Sequence, residues 1–383
     1  MLREKIQKTI DSGPRTLLCV GPVSVNCVDA VIDLAKDYHF PLTLIASRRQ
    51  VEASALGGGY VGSWSTVDYV EYVRQRDPEG KVILGRDHSG PWQNEDSRLS
   101  LDEAMASAKK SLTVDIEAGL QFIHLDPSLD PQGTPSVEEI LKRMFELHGF
   151  CSEQANSKGK EIEFEFGPFS SEILDELPMI EFALERVTEH CRKNKFKLPL
   201  YLVVNTGTKV METRNVGCFD PMISSSPNGV LRGKIKSFVS VCERHQVFLK
   251  EHNTDYLSKQ ALLEHPALGI HCANIAPELG VIETVELLNL IKKVGRQDLY
   301  EEFVSLAVDS QKWQKWMLPE TVSPSHEYLG RISGHYVYSH PQGMKIREQV
   351  GLLLKEQGVD MEAHLKACIR SRVEYYLKCF SLI

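Results

Sequence analysis

Short apolar runs alternate with longer amphipathic stretches along most of the chain. The runs Thr16–Val20, Leu42–Ala46, Lys81–Leu84, Gln121–Leu125, Glu161–Phe166, Leu200–Val204, Val247–Leu249 and Leu268–Cys272 have strand length and a strand-like apolar content. Between them, Leu101–Gly119, Ser136–Gln154, Ser171–Asn194, Arg232–Arg244 and Glu278–Lys293 carry apolar residues at helical spacing. Loops containing Gly, Pro, Ser or Asn separate the elements. Eight β–α units over roughly 290 residues predict a (β/α)8 TIM barrel. A doubly wound open sheet shares this alternation. It is disfavoured because no G-x-G-x-x-G follows the first run, and Gly57-Gly58-Gly59 is too compact and follows the second.

The alternation stops near residue 295. Gln297–Trp316 reads as a helix carrying Trp313 and Trp316, Pro319–Pro341 as a Pro/Ser/His segment, and Met344–Cys379 as a helical stretch interrupted near Gly358. The expected organisation is an α/β barrel over residues 1–295 and a helical C-terminal extension over 296–383, packed on the barrel and available for a subunit interface.

Composition narrows the function classes. Apolar residues make up 42% of the chain and charged residues 25%, as in an ordinary globular protein. The net charge of −8 argues against a nucleic-acid or anionic-membrane partner. An anionic ligand must therefore meet local basic groups, helix N-termini or a metal. No 18-residue apolar run is present, so no membrane span is expected. Met1–Ile6 is charged and amphipathic, unlike a secretion signal. Nine scattered cysteines without a C-x-x-C suggest reduced thiols and a cytoplasmic location, with Cys19, Cys242 and Cys272 as small core residues.

In a barrel, chemistry gathers where strands end. The second run ends in Ser47-Arg48-Arg49-Gln50, the third in Asp87-His88, and the fourth in His124-Leu125-Asp126-Pro127-Ser128. The fifth carries Glu163 and Glu165 among phenylalanines, and the sixth ends in Asn205-Thr206-Gly207-Thr208-Lys209. The seventh ends in Glu251-His252-Asn253-Thr254-Asp255, and the eighth holds His271 and Asn274. Individually these have bland readings: a core histidine at His124, a helix cap at Asn253 or Thr254. Two carboxylates inside a barrel are costly unless paired or bound to metal. Polarity at every strand end together predicts a pocket. Imidazoles and carboxylates from separate strands suit a divalent metal better than a Ser/His/Asp system, and no G-x-S-x-G is present. No strand-end lysine suits a Schiff base; Lys209 is the nearest, in polar company.

Gly85-Arg86-Asp87-His88-Ser89-Gly90-Pro91, Ile123-His124-Leu125-Asp126-Pro127-Ser128 and Glu251-His252-Asn253-Thr254-Asp255-Tyr256 resemble the non-catalytic-subunit family of class II D-tagatose-bisphosphate aldolase. Gln50-Val51 with Gly58-Gly59-Tyr60-Val61-Gly62, Trp313-Gln314-Lys315-Trp316, and Arg331-Ile332-Ser333 through Tyr338 fit the same pattern. The resemblance implies a TIM barrel related to the zinc-dependent class II aldolases. It implies that Asp87 transfers a proton and that His88 and His252 bind metal. The sixth-strand zinc histidine of those aldolases has no counterpart, so Glu165 or His271 would complete the set. Phe164-Glu165-Phe166-Gly167-Pro168 and His271-Cys272-Ala273-Asn274 depart from the family's fifth- and eighth-strand patterns.

The expected function is a metal-dependent aldolase-like lyase acting on a phosphorylated or otherwise anionic sugar. Asp87, Glu165 and Asp126 are the expected catalytic groups. His88, His252, Glu165 and His271 would hold Zn2+ or another divalent ion. Arg48, Arg49, Gln50, His124, Ser128, Asn253, Thr254 and Asn274 would bind substrate. The alternatives are a non-catalytic barrel supporting a partner aldolase subunit, and a sugar epimerase or isomerase using Glu165 and His124 on opposite faces. A homo-oligomer is a further expectation.

Overall fold

The computed structural model of the protein describes residues 2–38, 40–94, 96–225 and 229–383. Eight parallel strands close into a barrel. They are β1 (Leu17–Val20), β2 (Leu42–Ser47), β3 (Val82–Ser89), β4 (Phe122–Leu125), β5 (Glu163–Phe166), β6 (Tyr201–Val203), β7 (Phe248–Glu251) and β8 (Cys272–Ile275). The seam pairs β1 with β8, Leu17 against Cys272 through Val20 against Ile275. Helices Thr66–Arg76, Leu101–Ala118 and Val137–Ser157 each begin at a capping box, Ser65 with Asp68, Ser100 with Glu103 and Ser136 with Glu139.

Alternation sorts the strand side chains. Leu18, Leu44, Ile123, Phe166, Leu202 and Leu249 are buried among the apolar residues of the surrounding helices. The interior is polar by comparison. At its lower end the amino-terminal helix Leu2–Asp11 sends Arg3 to Glu163, with Nη2 at 2.8 Å from Oε2. Glu163 is thus a paired structural carboxylate. Lys250 lies at mid-depth, its Nζ 5.2 Å from the Phe122 ring centre and 5.7 Å from that of Tyr201.

β8 begins later than the apolar pattern predicted. Ala267 and Leu268 finish the helix Lys259–Leu268, and Gly269 caps it in the left-handed region at φ +79°. His271 therefore precedes the strand.

Helices Gln297–Asp309, His326–Ser333, Pro341–Glu356 and Met361–Cys379 form the extension. Trp313 and Trp316 lie beyond the first of these helices, and the Pro/Ser/His segment contains the second. Phe303, Ile346 and Val350 join Leu287 and Ile291 of the barrel helix Pro277–Lys293 in a core of their own. Ile369, Val373, Tyr376 and Phe380 belong instead to the barrel's core. The final helix packs between helix Val25–Asp37 and helix Pro277–Lys293. No helix among the described residues is long and apolar enough to cross a membrane.

Candidate functional site

β3 carries the Asp-His pair to the barrel mouth through an irregularity. Its register against β4 shifts between Arg86 and Ser89, and His88 takes φ +43°. Alternation would turn these neighbours to opposite faces; the bulge turns both inward. Arg86 anchors the bulge from outside, bonding Asp115 and the carbonyls of Ala46 and Val51.

Three imidazoles meet beside Asp87. The ring centres of His88, His124 and His252 are 4.9 to 5.0 Å apart. Outer partners fix two of them. His88 Nδ1 lies 2.6 Å from Asp126 Oδ2, and His124 Nε2 lies 2.6 Å from the Gly167 carbonyl. His124 Nδ1 then faces inward, 3.0 Å from Asp87 Oδ1 and 3.4 Å from Glu165 Oε1. His252 Nε2 is 3.0 Å from Glu165 Oε1, and the other Glu165 oxygen receives Lys250 Nζ at 2.5 Å. Asp126 is fully engaged, accepting also from Gln93 Nε2 and from the Ser128 amide and hydroxyl.

These contacts set the charges. Burial would raise the Asp87 carboxyl, but His88, His124 and His252 hold it well below the usual carboxylate range. Burial opposes ionisation of Glu165 too, yet Lys250 and the imidazoles hold it down to about 2. Burial lowers His252 to about 4, only partly offset by Glu165. For His124 the carboxylates of Glu165 and Asp87 outweigh burial and raise it to about 9. Lys250 is likewise pushed well up despite its burial, by Cys19 and Glu165. Burial opposes ionisation of Asp126 as well, but His88 holds it down to about 2, so the three anions Asp87, Glu165 and Asp126 face the cations His124 and Lys250 at neutral pH.

Oxygen or nitrogen atoms of Asp87, His124, Glu165 and His252 all lie within 4.8 Å of one another, as do those of His88, His124 and Asp126. This donor set fits a divalent ion. Of the expected ligands, His252 and Glu165 belong to the first set, with His124 and Asp87, whereas His88 belongs to the second. Asp126 and the Gly167 carbonyl supply the outer contacts that orient metal-binding histidines.

Of the predicted substrate residues, Arg49, Gln50, Asn253 and Asn274 line a mouth cavity of about 130 Å³ together with Asp87, His88 and His252. Arg48 does not: it is buried against Glu52 at 2.6 Å and also bonds Ser107 and the Gly90 carbonyl. Thr254 donates its hydroxyl to the Asn274 carbonyl and is structural, and Ser128 serves Asp126. His271 is not brought to the site. It sits at the opposite end, near Ile10 and Pro14, and its Nδ1 accepts the Leu249 amide. Four features of the site are given no role by the sequence reading. Lys250 was hidden because it follows an apolar run as its apparent polar terminus. Tyr60, and the extension's Lys315 with Trp316, join the mouth only through tertiary packing. Asp255 also lines it, its carboxyl raised to about 7 by burial and by Glu278.

Residues 2–163 match the family described as D-tagatose-1,6-bisphosphate aldolase subunit GatZ/KbaZ-like. The resemblance read from the sequence holds over that span, which contains Asp87, His88, His124 and Asp126. No curated protein matches the chain by sequence. The structure is similar to that of a probable tagatose 6 phosphate kinase from Sinorhizobium meliloti 1021, at 18% identity and a TM-score of 0.75 over 95% of this chain and 100% of that one. It is also similar to a glycerol-complexed fructuronate-tagaturonate epimerase from Cohnella laeviribosi, at 11% identity and a TM-score of 0.62 over 97% and 82%. A fructose-bisphosphate aldolase from Campylobacter jejuni shares 11% identity and a TM-score of 0.53 over 100% and 94%. At such identities the shared feature is the barrel.

Proposed function

We propose that the protein is a metal-dependent aldolase-like lyase, cleaving a carbon–carbon bond in a phosphorylated or otherwise anionic sugar. The observation that carries this reading is the ring of His88, His124 and His252 around Asp87 and Glu165 at the barrel mouth. His88, His252, Glu165 and, from the geometry, His124 would hold zinc or a similar divalent ion. Such an ion, when bound, supplies Lewis-acid polarisation of a carbonyl oxygen. Asp87, anionic throughout the working range, would accept the proton of the hydroxyl at the cleaved bond. That hydroxyl becomes the aldehyde carbonyl, and the bond's electron pair passes to the ketone fragment as an enediolate. Asp126 acts through His88, holding its ring in one orientation. Arg49, Gln50, Asn253 and Asn274 would orient the sugar. Cysteines without disulfide partners fit a cytoplasmic location.

A supporting, non-catalytic role beside a separate aldolase subunit is favoured by the description of the matched family as a subunit. The epimerase reading loses its proposed pair, because His124 and Glu165 lie 3.4 Å apart within one cluster rather than across a substrate.

The test is zinc uptake by the purified chain, followed by assay with ketose phosphates. Asp87→Asn should keep the fold and lower turnover at least ~10²-fold. A wild-type chain that takes up zinc and cleaves none of these sugars would favour the supporting role. A chain that takes up no zinc, cobalt or manganese would sink the metal-dependent reading.

A further inference from the structure

The last helix, Met361–Cys379, meets its neighbours through a series of opposite charges. Lys366 and Arg370 bond Asp33 and Asp37 of helix Val25–Asp37. Arg372 bonds Glu278 of helix Pro277–Lys293, and Glu362 takes Arg347. Glu286, about two turns beyond Glu278 on that same helix, meets an imidazole and a thiol instead. Its Oε2 lies 3.4 Å from His364 Nε2, and the same nitrogen lies 3.9 Å from Cys368 Sγ.

His364 and Cys368 stand four residues apart, so one helix face presents both. One ligand atom from each of Glu286, His364 and Cys368 lies within 4.8 Å of the other two. A tetrahedral ion with bonds of about 2.0 Å to nitrogen and oxygen and about 2.3 Å to sulfur sets those atoms about 3.3–3.6 Å apart. Small side-chain rotations close the difference. Asn289 Nδ2 donates to Glu286 Oε1 at 3.4 Å and turns Oε2 towards the last helix. The His364 and Glu286 side chains are 44% and 32% exposed, so a cation reaches them from solvent. A surface Glu–His pair needs no thiol, and at 3.9 Å the thiol adds little to it. Thiolate with imidazole selects zinc and similarly soft cations over magnesium or calcium. Burial and the Glu286 carboxylate raise the Cys368 thiol above its ordinary value, so the metal-free side chain is neutral near pH 7. On binding, its proton passes to solvent and the sulfur bonds the ion.

We propose that Glu286, His364 and Cys368 form an outer site for zinc or a similarly soft divalent cation, clipping the last helix to helix Pro277–Lys293. Water would take the fourth position. None of the three residues lines the mouth cavity. The clip is therefore structural, and it stands whether or not the mouth binds metal. With both sites filled the chain would carry two ions, and His252→Ala would leave one.

The test uses the full chain, freed of metal, kept reduced and titrated with cobalt(II). A thiolate bound to cobalt gives a charge-transfer band in the near ultraviolet. The mouth clusters contain no cysteine, so the band reports the outer site alone. Wild type and His252→Ala should both develop it to the same height. Cys368→Ser should abolish it, and Glu286→Gln and His364→Ala should each weaken cobalt binding there at least ~10-fold. All three variants should melt with wild type in the presence of chelator. Should Cys368→Ser melt lower even then, the Glu286→Gln and His364→Ala titrations decide. Zinc should raise the melting temperature of His252→Ala and leave that of His252→Ala/Cys368→Ser unchanged. No band in wild type, a band that survives Cys368→Ser, or equal cobalt affinity in wild type, Glu286→Gln and His364→Ala would overturn the outer site. None of these results touches the reading of the mouth, which is tested through His252.

Discussion

The Lys250–Glu165 pair offers the sharpest test of how the barrel interior is held. Both side chains are fully buried, and Nζ lies 2.5 Å from Oε2. Replacing Lys250 with Met keeps most of the length and removes the charge. It strands Glu165 among imidazoles in a space from which water is excluded. Breaking one partner of a buried pair typically costs about 3–5 kcal/mol. Glu165 keeps His252 at 3.0 Å and His124 at 3.4 Å, so the lower end, about 3 kcal/mol, is expected. The double variant Lys250→Met/Glu165→Gln removes both charges and should recover most of that loss. Guanidinium unfolding of the four proteins of the cycle gives the coupling, provided the slope with denaturant is unchanged. Zinc should stabilise Lys250→Met more than wild type, because a Glu165 oxygen is released from the ammonium and a divalent ion replaces the missing charge. A loss below about 1 kcal/mol in the single variant, or strictly additive effects, would show that Lys250 does not hold Glu165 ionised.

Three further outcomes follow from the same geometry. His252→Ala should sharply reduce zinc content while His271→Ala leaves it unchanged, by elemental analysis, because His271 lies at the opposite end of the barrel. His148 is boxed by Phe164, Phe166 and Phe196 with neither ring nitrogen hydrogen-bonded, and burial lowers it to about 3. Its unfolded value is near 6.5, so its stabilising effect is complete above pH 6.5 and is lost as pH falls towards 3. At about 1.4 kcal/mol per unit the loss is bounded near 5 kcal/mol, and His148→Phe should move acid unfolding to lower pH by circular dichroism. Glu212 accepts from the Leu318 amide and from the hydroxyls of Thr321 and Tyr328, tying the extension to the mouth. Glu212→Ala should cost about 1–3 kcal/mol and speed limited proteolysis between residues 313 and 328; unchanged cleavage would refute that anchoring role.

The outward face of the barrel was legible in the sequence, because Leu, Ile, Val and Phe there answer only to packing. The inward face was legible only in part. Lys250 and Asn274 break the apolar pattern of β7 and β8, so those strands were predicted to end early. For β8 the apolar run extends instead into the helix end at Leu268. Asp87 and His88 were found because a polar pair after an apolar run is conspicuous. Arg48 shows the opposite failure: a basic residue at a strand end looked like a ligand group, and its partner Glu52, four residues on, claimed it. Lys315 and Tyr336 could not be assigned from local pattern, since only the fold of the extension delivers them to the mouth.

The final helix has a consequence for how the chain is made. Met361–Cys379 wedges between the helices on either side of the β1–β8 seam, with Lys366 bonded to Asp33 and Arg372 to Glu278. The Phe380 carbonyl accepts the Thr16 amide at the root of β1. That wedge is synthesised roughly a hundred residues after β8, on the order of 5–20 s later at ribosomal speed. Until then the seam is flanked by uncovered apolar surface on a nearly complete barrel. The nascent chain must wait, exposed, for its last segment. Chaperone capture during that interval, and loss of yield on trimming the last twenty or so residues, are the marks such vectorial assembly would leave.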